Sequence, residues 1–197
     1  MTKRKVHRSP ITRGAAVATL LLLQLLPLHF SFSQSDVGRQ IAQLHKQDSV
    51  TILIIDSGLG GLSVCADLEA QLSKRRSFRK VRLVFVNALP DVALTYNSMS
   101  SKEEQARVFD KALEGFMRWY RPDAILIACN TLSAVYPGTR FARRATIPVV
   151  SIIDVGAKMI AERAKATAHS SVLVFGTATT ISSGLYEQKL GMLGVPH

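Results

Sequence analysis

Cysteine is scarce in this chain: Cys65 and Cys129 are the only two in 197 residues. That scarcity excludes a disulfide-stapled framework and a cysteine-rich metal centre, although pairing of the two remains open. The five histidines share no metal-ligand spacing with either cysteine, so no metal site is expected. Acidic residues are also few, 14 against 25 Lys and Arg, and none precedes Asp36. No apolar run reaches the ~20 residues of a spanning helix. A hydrophobic content of 47% nevertheless excludes disorder and suffices for one domain with a substantial core, or a domain and part of a second.

What the N-terminus does hold is Lys3, Arg4, Lys5, Arg8 and Arg13 ahead of an apolar run from Ala15 to Leu26, the pattern of a secretory signal peptide over residues 1–33. Ser31 and Ser33 offer small residues before a cut at Gln34. Gln24 and Pro27 interrupt the run and argue against its alternative, an uncleaved membrane anchor. Residues 34–48 read as a linker, and the body is expected to be exported to the periplasm, touching membrane only through the N-terminal segment. Removing the five leader cations from the net charge of +11 leaves +6. Lys74-Arg75-Arg76 with Arg79, Lys80 and Arg82 form the densest remaining cluster, read as a solvated loop. No nucleic-acid-binding module accompanies it.

From Val50 the pattern becomes regular. Val50–Ile55, Val81–Val86, Ala124–Ala128, Val149–Ile153 and Ser171–Phe175 are short apolar runs separated by helix-compatible sequence, including Leu62–Leu72 and the periodic set Val108, Phe109, Ala112, Leu113, Phe116 and Met117. Ser100 or Ser101 can cap the latter helix, with Glu103 or Glu104 completing a capping box. This alternation predicts an α/β fold, a parallel sheet flanked by helices on both faces. Ligands of such sheets bind beyond the carboxyl ends of the strands. Those positions hold Asp56-Ser57-Gly58, Asn87, Cys129-Asn130-Thr131, Asp154 and Gly176-Thr177.

Gly58, Gly60 and Gly61 follow a strand and open a helix, but the third glycine of a dinucleotide fingerprint falls on Ser63, and Asn87 stands where an acidic ribose partner belongs. No lysine follows for a P-loop. What remains is a helix start whose N–H groups can hold a small anion. Cys129 lies at a similar strand-to-helix junction, where free N–H groups favour thiolate character, and the polar Asn130 and Thr131 beside it suit a bound carboxylate or ammonium better than a dry core.

Three segments, Ile55-Asp56-Ser57-Gly58-Leu59-Gly60-Gly61-Leu62, Ala128-Cys129-Asn130-Thr131, and Gly176-Thr177-Ala178-Thr179-Thr180 with Ser183-Gly184-Leu185-Tyr186, resemble in order and spacing the motifs of the aspartate/glutamate racemase family. The resemblance runs from about Val50 to Val195. It implies a racemase-type first lobe over 49–145 and the start of an incomplete second lobe over 146–197. It also implies racemisation of a glutamate- or aspartate-type amino acid without a cofactor, a role in supplying cell-wall peptidoglycan, and a homodimer. Cys129 becomes one of two thiol acid/bases and Asp56 a carboxylate supporting proton transfer there. Ser57, Tyr96, Asn97, Asn130, Thr131, Thr177 and Thr180 become substrate-binding.

Two departures stand against the family pattern. Leu94-Thr95-Tyr96-Asn97 replaces a Pro-Tyr-Gly loop, putting Asn97 where a glycine admits the substrate, and no second Cys-Thr-His motif precedes His197. One thiol serves one face of an α-carbon, so Cys129 alone supports proton exchange with retention. The alternatives are an exported amino-acid- or carboxylate-binding module without catalysis, and a single-cysteine decarboxylase or isomerase of a small dicarboxylic acid. Mass spectrometry of the secreted protein is expected to find Gln34 at its N-terminus. Met1 retained on a soluble cytoplasmic form would refute export.

Overall fold

A computed structural model describes residues 36–76, 78–91, 94–167 and 171–195. The signal peptide expected over 1–33 lies outside the described residues. Four parallel strands make one sheet: β1 (Ser49–Asp56), β2 (Lys80–Asn87), β3 (Ala124–Ile127) and β4 (Val149–Ser151), in the order β2-β1-β3-β4. β1 and β3 occupy the middle, and all but the first and third residues of β1, and every residue of β3, are buried. That is why both read as unbroken apolar runs rather than alternating ones.

Period-two alternation divides the core. Leu53, Ile55, Ile125 and Ile127 face one layer with Phe109, Leu113 and Leu132. Ile52, Ile54 and Leu126 face the other with Val64, Leu68 and Leu72. The first layer is covered by α3 (Lys102–Tyr120) and the short helices α4 (Asn130–Val135) and α5 (Arg140–Arg144). The second is covered by α1 (Asp36–Leu44), α2 (Gly61–Arg75) and the start of α6 (Ile152–Lys165). Two further helices follow, α7 (Ala178–Ser182) and α8 (Leu185–Met192). The latter packs on α6 through Ala157, Ala161 and Leu190, with an Asp154–Lys189 ion pair at the junction. Among the described residues no helix is long and apolar enough to cross a membrane.

Several expectations need correction. Residues 34–48 are not a bare linker, because α1 lays Val37, Ile41 and Leu44 on the second core layer. The lobe boundary at 145/146 falls too early, since β4 is hydrogen-bonded to β3 in the first sheet. β4 itself stops at Ser151, whose hydroxyl accepts the Ile153 N–H and so starts α6 two residues before the apolar run ends. Residues 171–175 pair with no strand, and Leu173 and Phe175 are 78% and 85% exposed. A β-branched run becomes a strand only where a neighbour takes its backbone N–H and C=O groups, and none of the four strands does so.

At α3 the capping is as expected from Ser101, whose side chain accepts the Glu104 N–H, while Glu104 returns to Ser100. Deeper in the same helix, Asp110 is 2% exposed and joins two elements, accepting from Arg140 Nε and the Phe141 N–H, both at 2.8 Å. Burial alone raises its pKa, but the Arg140 and Phe141 bonds outweigh that and hold the carboxyl below its ordinary value. A carboxyl depressed in the folded state contributes stability above its unfolded pKa of about 3.9 and loses it as pH falls through the folded value. Asp110→Ala is therefore expected to destabilise the fold by about 2–4 kcal/mol at neutral pH in urea denaturation. The difference from wild type should narrow below about pH 4.

Candidate active site

The turn after β1 is built around one carboxylate. Asp56, 7% exposed, accepts the Gly58 N–H at 3.1 Å and, through its other oxygen, the Gly61 N–H that opens α2. The N-cap position itself, Gly60, has no side chain to do this. Gly61 is required sterically, because a Cβ there would lie 3.0 Å from Asp56 Cβ and 3.1 Å from the Phe85 ring. The turn so fixed presents Ser57.

β3 delivers the partner. Ala128 N–H continues the ladder to Ile55 O at 2.8 Å, and the chain then enters α4 with Cys129 as its N-cap, Sγ accepting the Leu132 N–H at 3.5 Å. Ser57 Oγ lies 3.2 Å from Cys129 Sγ. Ser57, rather than Asp56, therefore meets the thiol, and Asp56 holds the turn that carries Ser57. Cys129 is half-buried against the first core layer, while Cys65 packs against the second, across the sheet. Both cysteines are free, and burial, with Glu69 adding, pushes the Cys65 thiol up.

The remaining predicted residues gather round this pair. Thr131, buried at the start of α4, meets Thr177 hydroxyl to hydroxyl at 3.0 Å, and Thr177 meets buried Thr180 at the same distance. Thr177 is also the N-cap of α7, taking the Thr180 N–H. Asn130 Oδ1 accepts the Tyr186 hydroxyl at 2.9 Å, and Asn97 Oδ1 accepts the Thr179 N–H at 3.3 Å. Tyr96 is placed differently, 1% exposed with its hydroxyl donated to Ala88 O at 3.1 Å. Burial first, and the Cys129 charge second, push its phenol well above the ordinary value, so it remains a neutral donor. Asn87 and Asp154 take no part; they serve Leu89 N–H and Lys189.

The sequence reading did not single out Tyr186, Gln105 or Gly156. Gln105, 6% exposed, donates its amide to Tyr96 O at 2.7 Å and to Thr179 Oγ1 at 3.2 Å, joining the 96–98 turn to α7. Gly156 leaves room for Tyr186, whose hydroxyl would stand 3.0 Å from a Cβ there. A glutamine within an apolar helical face is a readable signal for the first; for Gly156 there is none in the sequence. Among the described residues no group of His, Cys, Asp and Glu is placed to hold a metal ion. The chemistry available is a thiol with an adjacent hydroxyl, surrounded by hydroxyl and amide groups suited to a small polar ligand.

A family model described as Asp/Glu/hydantoin racemase matches residues 52–197. Glutamate racemase of Aquifex pyrophilus is 34% identical over 137 residues, 70% of this chain and 48% of the relative. That of Oceanobacillus iheyensis is 35% identical over 140 residues, 71% and 46% respectively, and that of Streptococcus sanguinis 31% over 146 residues, 74% and 50%. The chain thus spans about half the length of the curated relatives it matches.

The steric argument at the turn gives a paired expectation. Gly61→Ala should destabilise the protein by about 1–3 kcal/mol, because Asp56 and Phe85 must both move. Gly58→Ala, whose Cβ meets nothing closer than 4.0 Å, should stay within about 0.5 kcal/mol of wild type. Thermal melts of the two variants decide it, and equal losses would remove the special role assigned to Gly61.

Proposed function

The chain belongs to the Asp/Glu/hydantoin racemase family, and we propose that its Cys129 centre transfers the α-proton of a small acidic amino acid of the glutamate or aspartate type, without a cofactor. The observation that carries the reading is the Ser57–Cys129 contact of 3.2 Å at the carboxyl end of the two central strands, with Asn130, Thr131, Thr177 and Thr180 around it. As thiolate, Cys129 takes the α-proton; as thiol, it returns one. The Ser57 hydroxyl steadies the sulfur in its charged form, and Asp56 holds Ser57 in place. The hydroxyl chain and the Asn130 amide bind the substrate's carboxylate and ammonium in exchange for the bonds they now make with one another.

Inversion needs a second acid/base on the opposite face of the α-carbon. Cys65, across the sheet, is not placed to provide it, and there is no third cysteine in the sequence. The half of the reaction that Cys129 supports by itself is α-proton exchange with retention. The basic and apolar N-terminal segment, which has the pattern of an export signal, favours a second reading, an exported amino-acid-binding module that performs no proton transfer.

The two readings separate in deuterated water. With L- and D-glutamate and aspartate, the chain is expected to incorporate deuterium at the α-carbon without change of optical rotation. Cys129→Ala should abolish this and Cys65→Ala preserve it. Substrate binding with no deuterium uptake would overturn the proton-transfer reading and leave the binding module.

A further inference from the structure

In a parallel sheet with antiparallel helices, the helix C-termini and the amino ends of the strands share one end of the domain, opposite the carboxyl ends where Cys129 sits. At that end Lys74, Arg75 and Arg76 close α2, Arg79 precedes β2, Lys80 starts it, and Arg118 and Arg121 close α3. All seven are exposed. Arg82 ties the groups together, donating Nη2 to Tyr120 O at 2.6 Å from the neighbouring strand. Between Arg118 and Arg121 stands Trp119, 72% exposed.

The nearby acids neutralise little of this charge. Asp48 lies 3.9 Å from Arg79 with both side chains in open solvent, and Asp123 is occupied by the Thr51 N–H at 2.7 Å. Helix dipoles account for a cation or two in each last turn, Lys74, Arg75 and Arg118. They do not account for Arg79 in the turn before β2 or for Lys80 at its first position. Nor do they account for Arg76 and Arg121, which end their helices in the left-handed region at φ 49° and 45°, where glycine costs least. Arginine stands at both positions against the local backbone preference.

We propose that this end of the domain docks on a membrane surface of anionic phospholipid, with Trp119 entering the headgroup layer and the basic residues lying over the lipid phosphates. An exposed tryptophan flanked by arginines combines the apolar body and polar edge that suit the bilayer interface with charges that suit anionic headgroups. Docked in this way, the domain points the Cys129 cleft away from the lipid and toward dissolved substrate. A nucleic acid would meet the same charges and could stack a base on Trp119, so it enters the test as an outcome that refutes lipid docking.

Trp119 is the single tryptophan of the chain, so its fluorescence reports this face whatever the leader does. The full-length chain is titrated with vesicles of phosphatidylcholine alone and of phosphatidylcholine with phosphatidylglycerol, carrying brominated acyl chains for depth. Blue shift and bromine quenching of Trp119 are expected with the anionic vesicles and reversed by raising salt from 0.1 to 0.5 M. Simultaneous Lys74→Glu, Arg75→Glu, Arg79→Glu and Lys80→Glu substitution should weaken the anionic partition on the order of a hundredfold or more. Vesicle binding with Trp119 still in water, or equal shifts on neutral vesicles, would overturn the proposal. So would a short DNA duplex that shifts Trp119 at lower concentration than the vesicles do. The salt reversal, read on the wild-type chain, keeps the test valid should the fourfold variant fail to fold.

Discussion

The candidate site depends on the parallel hydrogen bonding of β1 to β3. Ile52 to Ile55 pair with Ala124 to Ile127, and the Ala128 N–H to Ile55 O bond carries the register one step past the strand. Ser57 and Cys129, 72 residues apart in sequence, thereby meet at 3.2 Å. A slip of one residue would move the strand by about 3.3 Å and turn every side chain to the other face. The same slip would carry side chains such as Ile125 and Ile127 out of the layer they fill and into the opposite one, so the fit of the two core layers enforces the geometry of the reactive pair. Chemistry and core share one register.

A second constraint comes from the returning segment 177–186, which is bound less by apolar packing than by polar side chains. Thr177 to Thr131, Tyr186 to Asn130, Thr179 to Asn97 and Gln105, and Lys102 to Ser182 O all cross from it to the first part of the fold. Gln105 matters among these because its amide is buried, and a buried donor left without a partner costs about 1–3 kcal/mol. Asn97 has a role that a glycine at that position lacks, since its side chain takes the Thr179 N–H in the first turn of α7. The departure from the family loop is thus a tie between two segments.

The central fold was legible because β1 and β3 are buried on both faces and leave continuous apolar runs, and because Ser101, Glu104 and the periodic face of α3 agree with one another. The motif positions were legible because the topology of a parallel sheet sends strand ends to one place. Failures have physical causes. Ser151 capping overrode the β-branched Ile152-Ile153, and the strand expected over 171–175 lacked a neighbour to take its backbone bonds. α1 was legible in principle, because Val37, Ile41 and Leu44 stand at the i, i+4 and i+7 spacing of one helix face. Tyr186 lay inside a quoted motif, yet its bond to Asn130 relies on the room left by Gly156 thirty positions earlier, which no local pattern announces.

The polar contacts that now close the site bear on ligand choice. Thr131, Thr177, Thr180, Asn130 and Tyr186 make neutral-to-neutral hydrogen bonds with one another, each worth only about 0.5–1.5 kcal/mol net. A neutral ligand replacing them exchanges like for like and gains little. A carboxylate or ammonium replacing them forms charge-assisted bonds about twice as strong, so the exchange favours a zwitterionic amino acid over its uncharged analogues.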